Sequence, residues 1–205
     1  MQERDRGFVV LCFEKLLPLI VLNIFFLLTC LPVFTLPAGW TAMNRGCQEL
    51  FLDHKGGGRK FWRSVRENFF ASLLPGVIFL AGPMALFYGS LFYYRLSEGM
   101  GIFLILALSC FVSGYLLSCV GVFAFQMLAH VTLRSAALLK NAFYLTFCNH
   151  RIVLGWLLLS FALSAVIFLL FPYSLPWALL LGASLPCFIS TRGVLPVIDT
   201  TIVKE

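Results

Sequence analysis

Four long stretches of this chain carry no Asp, Glu, Lys or Arg, and nothing else in the sequence constrains its folding as strongly. Leu16–Asn44 is 29 residues, Asn68–Tyr94 is 27, Gly99–Leu133 is 35 and Ile152–Thr191 is 40. A helix needs ~20 apolar residues to cross the hydrocarbon core of a bilayer. The first three stretches therefore hold one span each. The fourth has room for two, and Pro172-Tyr173-Ser174-Leu175-Pro176 breaks it in the middle. Proline disfavours the helical conformation of its predecessor, so this reads as a tight turn. The expected architecture is all-α: one polytopic membrane helix bundle over 1–205. About five transmembrane helices are expected, at about 16–36, 69–94, 101–129, 152–171 and 175–191.

Composition agrees with this. Hydrophobic residues make up 60% of the chain and charged residues 12%, about half the ~25% usual in soluble domains. Mean hydropathy is +0.95. An ordinary soluble globule, a disordered chain and a secreted disulfide scaffold are excluded. The apolar runs are too long and uniform for barrel strands, which alternate in ~10-residue pieces. The first run is also too long for a signal peptide, and Glu3, Asp5 and Glu14 precede it. It is expected to be a signal-anchor or a true first span.

Lys and Arg mark the cytoplasmic side. With five spans, eleven of the fifteen basic residues fall on one side and four on the other, which places the N-terminus outside and the C-terminus inside. If the first stretch instead turns back at Pro32 or Pro37, the split becomes fourteen to one. A run of 29 residues spans comfortably as one helix, and the five-span arrangement is retained. The expected setting is the plasma membrane of a bacterium, with a cytoplasmic C-terminus.

Six basic residues crowd Arg45–Arg66, beside Phe51, Phe61 and Trp62. Phe61, Trp62, Val65, Phe69 and Phe70 recur at helical spacing, so an interfacial helix is expected before the second span. Arg59, Lys60, Trp62, Arg63 and Arg66 are its candidate contacts to lipid headgroups or an acidic partner; the alternative is a topology signal with interfacial anchoring. The net charge of +6 sits beside membrane ends and does not indicate nucleic acid.

Leu22-Asn23, Leu31-Pro32-Val33-Phe34-Thr35, Pro37-Ala38 and Thr41-Ala42-Met43 follow one another here. Phe61-Trp62-Arg63-Ser64-Val65-Arg66-Glu67-Asn68-Phe69 comes next, and Leu138-Leu139-Lys140-Asn141-Ala142 later. In this order and spacing the chain resembles the YesL family, domain of unknown function 624. The similarity is strong over 16–75 and mostly one of hydropathy over 76–205. Leu36 departs from the family's usual Gly before Pro37. The resemblance implies a bacterial multi-pass membrane protein of unknown activity, accessory to carbohydrate uptake or utilisation. It brings no catalytic residue.

Read physically, Pro32 cannot donate a helical hydrogen bond, and the first helix should end near Leu31. Thr35 or Leu36 should then cap a second helix, about 37–52, with Pro37 in its first turn. Arg45, Gln48 and Glu49 require that helix to leave the hydrocarbon. A proline-broken element with freed carbonyls either lines a site, as in transporters, or is a helix–turn–helix at the interface. Asn23 is either an interhelical hydrogen-bonding residue or a solute contact. Gly114, Ser118, Val122, Gln126, His130 and Arg134 are spaced by four on the third span. Gly114/Ser118 and Ala81/Ala85/Gly89 read first as packing seams. Gln126, His130 and Arg134 could bound a polar cavity.

Enzymatic signatures are missing. The seven cysteines are odd in number and form no CxxC pair. There is no HExxH, nucleophile elbow or phosphate-binding GxxxxGK[ST], and Gly56-Gly57-Gly58-Arg59-Lys60 reads as a loop tip. No catalytic residue, metal site or cofactor is expected. The expected function is non-enzymatic and accessory, with the lipid bilayer and another membrane protein such as a sugar transport system as expected partners. The alternative is a small-solute transporter or channel near Asn23, Pro32, Thr35, Pro37, Gln126, His130 and Arg134.

Overall fold

A computed structural model describes residues 15–52, 58–97, 101–130, 135–149, 151, 153–170 and 173–201. Every regular element among them is helical. In chain order they are α1 (Leu16–Cys30), α2 (Leu36–Phe51), α3 (Gly58–Glu67), α4 (Phe69–Gly76), α5 (Gly82–Leu96), α6 (Gly101–His130), α7 (Ser135–Cys148), α8 (Leu158–Leu169), α9 (Leu175–Leu181) and α10 (Ser184–Thr201). One core cluster gathers Phe79, Phe123, Met127, Leu138, Leu157, Val194 and Ile198. A second gathers Leu19, Phe26, Met43, Phe61 and Phe188 around α1–α3.

The first charge-free stretch is not a single helix. Pro32 is extended (φ −87°, ψ 115°), and Val33–Thr35 form a 3₁₀ turn. α2 then starts at Leu36 with Pro37 in its first turn, where a missing N–H costs nothing. Thr35 holds the N-cap position, but its hydroxyl donates backwards, to the carbonyls of Thr29 and of Pro32 at 2.7 Å. It closes the C-terminus of α1 more than it opens α2.

α2 returns antiparallel along α1. A Cβ on Gly39 would lie 2.2 Å from Thr29 Oγ1, and one on Gly46 2.5 Å from Leu22 Cδ1. The pairing 29/39 and 22/46 runs in opposite directions on the two helices, and the missing side chains at 39 and 46 allow that approach. The expected single helix over 16–36 is therefore corrected to the first arm and turn of a helical hairpin. α3 folds back again along α2, placing Lys60 3.7 Å from Glu49 and Arg45 3.8 Å from Glu67. It is amphipathic as expected: Phe61, Ser64 and Val65 are buried while Arg59, Lys60, Arg63 and Arg66 face outwards.

Phe69–Arg95 and Gly101–His130 are each long and apolar enough to cross a membrane. Within the first, Val77–Ala81 is a π-helical turn between α4 and α5. Proline at 83 removes the bond to the carbonyl four residues back and crowds it, and a widened turn accommodates this. α5 and α6 pack antiparallel through small residues. A Cβ on Gly121 would meet Phe79 at 2.8 Å, and one on Gly114 would meet Phe87 at 3.1 Å.

The fourth stretch does split near Pro172, which lies outside the described residues: α8 ends at Leu169 and α9 begins at Leu175. The expected 175–191 span differs in two ways. It bends by 48° between α9 and α10, and it runs past Arg192 to Thr201. Arg192 does not end the helix, because its guanidinium lies 5.5 Å from the Trp156 ring centroid and Val194, Leu195 and Ile198 beyond it are buried. By length and composition the described helices supply two spans, or three with the bent pair. α1, with 15 residues, and the 155–167 helix are too short to cross unaided.

Because Leu17 and Leu50 lie together at the open end of the hairpin, tags placed ahead of Leu16 and after Asp53 in the full chain should be labelled from the same side of the membrane. Labelling from opposite sides would restore a single crossing at 16–36.

Candidate functional site

Polar side chains collect where α1, α2, α6 and α10 meet. Asn23 is fully buried on α1. Its Nδ2 donates to the carbonyls of Leu179 at 2.7 Å and Ala178 at 3.3 Å. Its Oδ1 accepts from the backbone N–H groups of Ala183 and Ser184, both at 3.1 Å. Ending α9 and starting α10 frees carbonyls on one side of the break and N–H groups on the other. A single amide, donor at one end and acceptor at the other, serves both.

A second group lies beside it. Gln48 Nε2 donates to Gln126 Oε1 at 2.7 Å and to the Gln126 carbonyl at 2.8 Å. Gln126 Nε2 donates to Thr191 Oγ1 at 2.7 Å, and Thr191 donates to the Cys187 carbonyl at 2.8 Å. Between the two groups, Cys187 Sγ donates to Asn44 Oδ1 at 3.4 Å, and Cys47 Sγ approaches the Ser184 carbonyl at 3.8 Å. Ser184 Oγ is buried without a partner among the described residues. At the end of α6, His130 Nε2 lies 3.0 Å from Asp199 Oδ1 on α10.

The structure thus brings Asn23, Gln126 and His130 to one seam. Pro32, Thr35 and Pro37 lie apart from it, at the hairpin turn. There Val33 and Phe34 are exposed, and Pro37 borders an apolar groove of about 650 Å³ between the turn, α4–α5 and α6. Arg134 lies outside the described residues. Of the spaced-by-four stripe, Gly114 faces α5 while Gln126 and His130 face α10, the drift of ~40° per step expected for a straight helix. Arg59, Lys60, Trp62, Arg63 and Arg66 lie on the outer side of α3, with Trp62 partly exposed. Arg63 donates to Glu67 at 2.7 Å, and that hydrogen bond holds the Glu67 carboxyl below its usual range.

Several seam residues escape a reading of spacing and hydropathy. Gln48 does not mark an exit to water with Arg45 and Glu49; it is buried and faces Gln126. A signal was present: Thr41, Asn44 and Gln48 follow at i, i+3 and i+7, which is one helix face. Thr191 and Asp199 carried no comparable pattern.

Chemically, this seam offers amides and hydroxyls that largely satisfy one another. Among the described residues, no group of three or more His, Cys, Asp or Glu could hold a metal ion.

Asn23→Ala should lower unfolding stability by about 2 kcal/mol, since it strands the Ala183 and Ser184 N–H donors and removes the amide from the Leu179 carbonyl. Gln126→Leu should cost less than about 1 kcal/mol, since Gln48 keeps the residue-126 carbonyl and Thr191 keeps that of Cys187. Unfolding followed by circular dichroism in one detergent ranks the two variants; equal losses would contradict the bridging role of Asn23.

Residues 19–90, which take in α1 through most of α5, match the family model described as "Protein of unknown function, DUF624". No curated protein and no solved structure matches the chain. The match includes Asn23, the hairpin and α3; its far edge leaves out α9 and α10, which supply the groups that Asn23 holds.

Proposed function

We propose that this chain is a non-enzymatic multi-pass protein of the bacterial cell membrane, of the YesL type, accessory or regulatory to carbohydrate uptake or utilisation. The observation that carries the reading is the closure of its polar interior. Asn23, Gln48, Gln126 and Thr191 are all buried and spent on one another or on backbone. A transporter needs polar groups held open for its solute. Here the groove beside Pro37 is apolar, the slot beside α3 is apolar but for its charged mouth, and both lie outside the seam. The match to a family of unknown function over 19–90 is consistent with the YesL resemblance.

Sidedness follows from charge. With the α1–α2 hairpin not crossing, and the 155–167 helix and the bent α9–α10 pair either both crossing or neither, Arg95 alone falls on one side and the other fourteen basic residues on the opposite side. That side is the cytoplasm in this proposal, and it holds both termini.

The competing reading, a small-solute transporter or channel, draws on the bend between α9 and α10, since discontinuous helices house transporter sites. Two measurements separate them. In mild detergent the tagged chain should co-purify with a membrane component of a sugar transport system, and in proteoliposomes it should give no sugar or cation flux above protein-free vesicles. Recovery of the chain alone would overturn the accessory role. Flux abolished by Asn23→Ala or His130→Ala would establish the competing reading.

A further inference from the structure

A slot of about 220 Å³ opens at the free end of the hairpin, between α1, α2 and α3. Its walls are apolar: Leu17, Val21 and Phe25 from α1, Leu50 from α2 and Phe61 from α3. Its mouth is not. Arg45, Glu49 and Lys60 line it, and both cations are about half exposed, at 44% and 56%. Glu49 is the carboxylate they share, at 3.9 and 3.7 Å, contacts too long for hydrogen bonds. Glu67 is the other acid near Arg45, at 3.8 Å, and it is already hydrogen-bonded by Arg63. Among the described residues the mouth therefore keeps an excess of positive charge and N–H donors without close acceptors, next to an apolar slot.

We propose that this slot holds one anionic phospholipid, with an acyl chain along Val21 and Phe25 and its phosphate at Arg45 and Lys60. The chemistry on both sides fits a single molecule. Hydrocarbon walls suit an acyl chain, and a phosphate oxygen supplies the close acceptor that Glu49 does not. A zwitterionic lipid brings the same phosphate but adds a cation to a mouth that is already positive. Arg59 and Arg66 are exposed on the same helix as Lys60 and extend the positive field towards the bilayer surface. The proposal rests on the membrane setting alone and stands or falls independently of the accessory role.

The test uses the full chain, delipidated in mild detergent. It is titrated with phosphatidylglycerol or with phosphatidylcholine of the same acyl chains, and retained lipid is counted by native mass spectrometry beside the thermal midpoint. Phosphatidylglycerol should be retained at about one per chain, about tenfold more tightly than phosphatidylcholine, and should raise the midpoint more. The double variant Arg45→Gln, Lys60→Gln should bring the two lipids level. Val21→Trp fills the slot from an exposed position and should abolish retention with both cations in place. Equal retention of the two lipids by the unaltered chain would overturn the proposal. So would undiminished retention by Val21→Trp, or a midpoint rise reproduced by inorganic phosphate, which would reduce the slot to an anion contact. If the double variant does not fold, the lipid comparison and Val21→Trp decide.

Discussion

One side-chain amide holds the two ends of this structure together. α9 and α10 cannot be a single straight helix, because the chain bends by 48° between them, and a bend exposes backbone groups that an apolar interior cannot satisfy. Asn23 meets that demand with both of its functions. The consequence spreads outwards. α1 must stay beside the break, α2 must fold back along α1, and the second core cluster forms where Leu181, Cys187 and Phe188 meet both helices. The hairpin is thus tied to the bundle by a directional contact as well as by apolar packing.

The seam beyond Asn23 works by the same economy. Buried polar groups far from water are costly unless paired, and a paired network restricts how helices can slide or rotate. Gln48, Gln126 and Thr191 come from three different helices, and each bonds at about the distance of a good amide hydrogen bond. Apolar packing alone tolerates a shift of one helix along another; this chain of donors and acceptors does not. In the proposed function, such a seam fixes the relative placement of the hairpin and the bundle without offering a path through them.

Much of the local structure was legible from residue chemistry. Pro32 and Pro37 announced the break and restart, and the alternation of Phe61 and Val65 with Arg59, Arg63 and Arg66 announced an amphipathic helix. The two longest spans followed from the absence of charge. What hydropathy could not reveal is direction: a 29-residue apolar run reads the same whether it crosses or folds back. The fold-back depends on Gly39 and Gly46 lying opposite Thr29 and Leu22, a pairing between residues distant in sequence. Arg192 misled for a related reason, since its charge rests on Trp156 and the helix continues beneath it. For the site, Asn23 and Gln126 stood out as polar residues in apolar runs. Their partners did not, because the groups Asn23 holds are backbone atoms with no signature in residue type.

The tether between Asn23 and the α9–α10 break also sets an order of assembly. Asn23 and the carbonyl of Ala178 are 155 residues apart. At about 5–20 residues per second, synthesis leaves the first helix without its partner for roughly 8–30 s. Throughout that interval the amide has no backbone to hold, and the hairpin is held through α2 alone, whose Gln48 reaches Gln126. The first of the described helices is therefore secured late, and α9 and α10 act on it as a clasp that closes only once both have been made.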